Sequence, residues 1–119
     1  MTLLERVEAA TKREEYAVLF YVLALAGHEG WIGEDAYRVG LAWVKADAYT
    51  DAALLLIPEG CAWRVSQRLD NLGPSCTLQR RDHSGEGFDI WLDVDGKTPA
   101  LAIVAAAQRA REAENEGTK

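Results

Sequence analysis

The side chains with the greatest potential for metal or nucleophilic chemistry are His28, His83, Cys61 and Cys76. His28 and Glu29 begin the zinc-peptidase pattern H-E-x-x-H, but Ile32 occupies the position of the second histidine. A zinc site in a protein needs several ligands, and no two of these four side chains have ligand spacing. We therefore expect no metal and no cofactor, and we interpret "GHEGWIGED" as a connector between two helices.

The turn "DHSGEG" holds Asp82, His83 and Ser84, which are the three residue types of a hydrolase triad. Members of such a triad meet through the fold and are not sequence neighbours, and the chain has no G-x-S-x-G motif. Cys76 and His83 lie at opposite ends of one predicted strand, roughly 23 Å apart at the rise of an extended chain. We therefore predict that the protein is not an enzyme.

A group of polar side chains and one tryptophan is expected on the outer face of a predicted sheet. Its members are Arg64, Arg68, Gln79, Arg81 and Trp91. Two interpretations remain open, since neighbouring aspartates could pair with the arginines on a solvated face, or the group could bind a partner. Arginine binds carboxylates and phosphates at two points, and tryptophan and arginine are common anchors of binding hot spots. Trp91 is the first residue to test.

Three stretches with a two-residue hydrophobic period must position this group. They are "CAWRVSQRL", "CTLQRRD" and "FDIWLDVDG", and the turn sequences "DNLGPS" and "HSGEG" separate them. Short turns between alternating stretches predict a three-stranded antiparallel meander. In the third stretch the alternation places Phe88, Ile90, Leu92 and Val94 inside and Trp91 outside.

Helical periodicity covers the first half of the chain. One helix is predicted to end at Gly27, with a break near Thr11, and a second covers Glu34–Ala48. Thr50 is the expected N-cap of a third, short helix. The stretch Tyr16–Ala26 has no polar face, so that part of its cover is expected from a second copy of the protein. This predicts a homodimer, or an obligate partner protein, with Phe20 and Tyr21 in the interface.

A closing helix is predicted at the C-terminal end, with Thr98 as N-cap and Pro99 in the first helical position. The whole pattern indicates an α+β fold, in which three to four helices pack on the three-stranded meander. We expect a single domain of residues 1–119, whose polar end at 112–119 frays into solvent.

Composition and charge argue against several classes of function. The 119 residues carry a formal net charge of −6, which disfavours direct binding to nucleic acid. The longest apolar run, "YAVLFYVLALA", is shorter than the roughly 20 residues that a membrane-spanning helix needs, so no membrane partner is expected. Two cysteines without a disulfide pattern are typical of a reducing cytoplasm.

Two segments taken together resemble a known family. "YTDAALLLIPEG" and "GKTPALAIVAAAQRARE", with the opening "LLERVEAAT", resemble the small phage and prophage proteins that carry a phage ABA sandwich domain. The resemblance covers most of the chain. It implies a viral protein in the cytoplasm of the host cell, with an accessory role and no assigned catalytic residues.

The small size, the acidic N-terminal half and the phage resemblance indicate a function in binding. We expect an interaction protein that blocks a host protein or protein complex, for example an inhibitor of a CRISPR–Cas defence. Its acidic helices could replace nucleic-acid phosphates with the carboxylates of Glu5, Glu8, Glu15, Glu34 and Asp35. The alternative is a sponge for a nucleotide signal, with arginines and Trp91 in a pocket at an oligomer interface. A structural role without catalysis is the third interpretation.

Overall fold

The computed structural model describes residues 2–67, 73–81 and 88–117, with the backbone alone at 67, 81, 88–90 and 114–117. Its helices are α1 (Leu3–Ala9), a 3₁₀ turn (Lys12–Glu14), α2 (Glu15–Glu29), α3 (Glu34–Lys45), α4 (Tyr49–Leu54) and α5 (Pro99–Gly117). Its strands are β1 (Ala62–Gln67), β2 (Pro74–Arg81) and β3 (Phe88–Asp95). The predicted α+β class is confirmed, although the described chain has five α-helices where three to four were expected.

The sheet has the strand order β1-β2-β3, and both neighbouring pairs are antiparallel, which confirms the predicted meander. One row across the sheet pairs Val65 with Cys76 and Cys76 with Val94. Cys76 and Val94 are buried, as is Leu78 two residues further along β2. These residues form the face that packs on the helices, as the alternation of β1 and β2 predicted.

Helix α5 is the centre of the molecule. It packs against all three strands on one side and against α1, α2 and α4 on the other. Every residue from Ala100 to Gln108 is buried, and most of them are alanines, whose small side chains allow close approach from both sides. A helix that is apolar all round must be covered all round. The fold therefore has three layers, with α5 between the sheet and the outer helices.

The predicted break near Thr11 is confirmed. Helix α1 ends at Ala9, and the 3₁₀ turn that follows is held by a capping box between Thr11 and Glu14. None of the helices in the described ranges combines the length and the apolar character that crossing a bilayer requires.

The predicted end of α2 at Gly27 is wrong. The helix continues to Glu29, and Gly30 ends it with φ at 76°, a left-handed conformation that glycine adopts without strain. Gly27 instead lies at the contact with α3, where a Cβ would stand 2.7 Å from the ring of Tyr37. The connector between the two helices is therefore shorter than "GHEGWIGED".

The segment between α3 and α4 also differs from the prediction. Helix α3 ends at Lys45, and Asp47 adopts a left-handed conformation with φ at 62°. Helix α4 then begins at Tyr49 after Ala48. Thr50, the predicted N-cap, lies within the first turn and is exposed, so that this prediction is wrong.

The start of α5 is as predicted. Thr98 is the N-cap, because its Oγ1 accepts a hydrogen bond from the backbone N–H of Leu101 at 3.1 Å, and Pro99 is the first helical residue. The helix extends to Gly117. Fraying of 112–119 stays a prediction, and so does the single domain.

Candidate functional site

Trp91 lies at an irregularity in the pairing of β2 with β3. Leu78 pairs with Leu92, but Gln79 pairs with Ile90, so that Trp91 is an extra residue on β3. An extra residue of this kind, a β-bulge, interrupts the alternation of faces along a strand. The Trp91 side chain is half-buried and packs against the hydrophobic core. The predicted outward orientation of Trp91 is therefore wrong.

The indole of Trp91 is also covered by a cation. The guanidinium carbon of Arg80 lies 4.6 Å from the centroid of the ring, within the range of a cation–π interaction. Arg80 follows Leu78 by two residues on β2, on the side of the sheet that faces the core. Less of the indole is therefore available as a flat stacking surface than the sequence indicated.

The outer face of the sheet carries a row of polar side chains. Arg64 pairs across the strands with Thr77, and Thr77 pairs with Asp93. The Thr77 hydroxyl donates a hydrogen bond to Asp93 Oδ1 at 3.2 Å, while Arg64 is exposed. The carboxylate of Asp93 thus has a hydroxyl partner within the sheet.

The predicted partner-binding group does not form one surface in the described residues. Arg64 and the half-buried Gln79 belong to the outer face, and Trp91 packs on the opposite side. Arg68 lies outside the described residues, as does the side chain of Arg81. A role of these residues in binding stays a prediction.

Phe20 and Tyr21, the predicted oligomer interface, are 41% and 54% exposed. Consecutive residues of an α-helix point about 100° apart, so the two rings belong to different surfaces. Tyr21 lines a cleft of about 290 Å³ between α1 and α2, together with Leu3 and Val18. Phe20 instead contacts Tyr16. The homodimer itself stays a prediction.

Phe20 belongs to a group of three rings that we call the aromatic cluster, made of Tyr16, Phe20 and Tyr49. Tyr16 and Phe20 are one turn apart on α2, and their rings stack with centroids 6.3 Å apart and planes at 18°. The ring of Tyr49 on α4 meets Tyr16 edge-on, with centroids 6.4 Å apart and planes at 76°. Both geometries are favourable for aromatic pairs. The cluster therefore joins two helices at the surface.

The backbone beneath the aromatic cluster is fixed by the core. Leu19 and Leu23 of α2 are buried, as are Ala52 and Ala53 of α4. The Tyr49 hydroxyl donates a hydrogen bond to Asp47 Oδ1 at 3.0 Å. This hydrogen bond, and then burial, raise the pKa of the Tyr49 phenol, which stays a donor at neutral pH.

The predicted acidic surface is partly neutralised within the chain. Glu8 accepts two hydrogen bonds from Arg109, at 2.6 and 2.9 Å, and Glu34 pairs with Arg38 at 2.8 Å. Glu15 is only 8% exposed. Glu5 accepts a hydrogen bond from the Thr2 hydroxyl at 3.1 Å. Four of the five carboxylates considered as phosphate substitutes thus have internal partners, and this gives little support to polyanion mimicry.

The histidines and cysteines are dispersed. His28 is exposed near the end of α2, His83 lies outside the described residues, and Cys61 is half-buried. Cys76 is fully buried on β2, and this burial raises the pKa of its thiol to about 11. In the described ranges, no three His, Cys, Asp or Glu side chains come close enough to hold a metal ion.

The sequence predicts an interface role for Phe20 but gives none to its neighbours Tyr16 and Tyr49. The spacing of four residues between Tyr16 and Phe20 was a usable signal, because such residues share one face of a helix. Tyr49 had no such signal, since its contact depends on how α4 folds back on α2. Comparison with protein-family models, curated proteins and solved structures finds no match to the chain.

Proposed function

We propose that this protein is an interaction protein that binds and blocks a host protein, with the aromatic cluster as its anchor. The observation that carries the proposal is a stacked pair, Tyr16 and Phe20, left 44% and 41% exposed on a helix that the core holds in place. Preorganised aromatic side chains at a surface are the usual anchors of protein interfaces. The phage origin, the host cytoplasm and a defence component as target rest on the resemblance of the sequence alone.

The exposed area of one ring is large enough to matter for affinity. An aromatic side chain buries roughly 200 Å² when it is fully covered, so the exposed fraction of Phe20 leaves about 80 Å² for a partner. At about 25 cal/mol per Å² this area contributes about 2 kcal/mol, which is the scale of a binding hot spot.

The net charge of the chain indicates the charge of a suitable partner. With a net charge of −6, the protein should associate faster with a basic partner than with an acidic one. Higher salt should slow this association, while the contribution of the aromatic cluster should persist.

The test compares Phe20→Ala with Val39→Ala as bait proteins in a lysate of the host. Val39 is a suitable control because it is 42% exposed on α3 and outside the aromatic cluster. We expect wild type and the control to capture the same host protein, and Phe20→Ala to bind it roughly 30-fold more weakly, the equivalent of about 2 kcal/mol.

Light scattering on the same proteins tests the alternative that the aromatic cluster is the interface of a homodimer. If Phe20→Ala converts a dimer into a monomer, the aromatic cluster is a self-interface and the proposal of host binding through it is wrong. Equal capture by Phe20→Ala and the control would also reject the proposal.

A further inference from the structure

A polar pocket of about 400 Å³ opens beside the aromatic cluster, where α2, α4 and α5 begin. Its lining includes Lys12, Glu15, Asp47, Lys97 and Thr98. Tyr49 contributes to the pocket as well as to the aromatic cluster. The volume lies in the range of small-molecule sites, which is roughly 300–1,000 Å³.

Glu15 contributes a largely buried carboxylate to this pocket. It is 8% exposed, and its Oε2 accepts a hydrogen bond from the hydroxyl of Thr98. Among the residues that the structure describes, Thr98 is the one hydrogen-bond partner of this carboxylate, so its second oxygen has none. This oxygen is not among the fully buried unpartnered atoms of the described residues, so it is accessible from the pocket and can accept a hydrogen bond from a donor that enters.

The pocket also carries positive charge. Lys12 and Lys97 are exposed side chains of its lining, and neither forms an ion pair within the described part of the chain. The carboxylate of Asp47 already accepts from Tyr49, and it adds a second negative group. Charges of both signs thus surround one small volume.

We propose that this pocket binds a small zwitterion of the amino-acid class. The ammonium group of the ligand would donate hydrogen bonds to the carboxylates of Glu15 and Asp47. The carboxylate of the ligand would pair with the ammonium groups of Lys12 and Lys97. A ligand with a single charge would pair with the carboxylates or with the lysines, but not with both. A neutral apolar ligand would leave the second Glu15 oxygen without a hydrogen-bond donor. This activity is additional to host binding and does not depend on it, because the purified protein alone should show it.

The test is thermal unfolding of the purified protein with each of the common amino acids at millimolar concentration. An equimolar mixture of sodium acetate and methylammonium chloride supplies the same charges on separate molecules. We expect at least one amino acid to raise Tm by roughly 4 °C or more near saturation, since a ligand that binds only the folded state stabilises it. The mixture of separate ions should leave Tm unchanged.

Titration calorimetry with that amino acid then locates the site. Glu15→Gln and Lys97→Met should each weaken binding at least about tenfold, since each removes one charge-assisted hydrogen bond. Glu59→Gln and Lys45→Met remove the same charges at exposed positions outside the pocket, and they should bind like wild type. If Glu15→Gln does not fold, the affinity of Lys97→Met for the amino acid tests the proposal by itself.

Three results would overturn the proposal. In the first, no amino acid changes Tm. In the second, the separate ions act as well as the zwitterion. In the third, the pocket variants retain wild-type affinity. None of these results bears on host binding, which is measured with different variants.

Discussion

Replacing Trp91 by Ala tests whether this side chain belongs to the core. The ring is half-buried, packs against the hydrophobic core and lies under the guanidinium of Arg80. Truncation of a fully buried large aromatic costs about 3–5 kcal/mol, so a half-buried one should cost about 2 kcal/mol. The predicted result is therefore a clear loss of stability, the opposite of what an outward-facing residue would give.

Urea unfolding, followed by circular dichroism, measures this loss. A decrease of about 2 kcal/mol in the free energy of unfolding corresponds to a decrease in Tm of roughly 8 °C for a domain of this size. Trp63→Ala is the matched control, because Trp63 is on the same sheet, is 49% exposed and should cost less than about 1 kcal/mol. A double-mutant cycle with Arg80→Ala should give a coupling of about 0.5–1 kcal/mol.

A small effect of Trp91→Ala on stability would contradict the packing of this ring on the core. If Trp91→Ala costs less than about 0.5 kcal/mol and shows no coupling to Arg80, the ring does not pack on the core. The bulge would then be absent, the simple alternation of β3 would hold, and Trp91 would again be a candidate for binding a partner.

Three further predictions concern side-chain packing and capping. The pKa of the Cys76 thiol is raised from 9.0 to about 11 in the folded protein. The neutral thiol therefore contributes stability that is complete below pH 9 and is lost as pH rises towards 11. Cys76→Ala should flatten this part of a curve of unfolding free energy against pH. Thr98→Ala should lower the free energy of unfolding by about 1–2 kcal/mol, since it removes the N-cap of α5 and the partner of Glu15, and Thr98→Ser should recover most of this loss in the same assay. Gly27→Ala should lower the free energy of unfolding by about 1–3 kcal/mol, because the new methyl group would clash with the ring of Tyr37. This cost should exceed the gain from the better helix propensity of alanine. In urea unfolding, the same substitution in a Tyr37→Ala background should show no such loss.

The sheet and the start of α5 could be predicted from sequence because their signals are local. The two-residue period of β1 and β2 specifies the face that contains Val65, Cys76 and Leu78. Thr98 and Pro99 specify a helix start by capping chemistry that needs no tertiary contact. Trp91 could not be placed in this way, because "FDIWLDVD" is compatible with an uninterrupted strand and with a bulged one.

The central helix was harder to identify, because α2 and α5 both have apolar stretches. The apolar stretch Tyr16–Ala26 has no polar face, which predicts that a second copy of the protein covers part of it. In the structure the all-round cover belongs to α5, whose alanines admit a sheet on one side and helices on the other. The larger rings of α2, including Phe20 and Tyr21, lie at the periphery. The alanines of α5 therefore distinguish it from α2, because small side chains let neighbouring elements approach closely from both sides.

The candidate sites depend on contacts that no local pattern specifies. Glu15 meets Thr98 across most of the length of the chain, and Tyr16 meets Tyr49 only because α3 ends at Lys45 and the backbone turns at a left-handed Asp47. That turn gives Tyr49 two roles, since its ring completes the aromatic cluster while its hydroxyl holds Asp47 beside the polar pocket. Because different atoms of Tyr49 serve the two surfaces, a partner on the rings and a zwitterion in the pocket are compatible, and each could bind without the other.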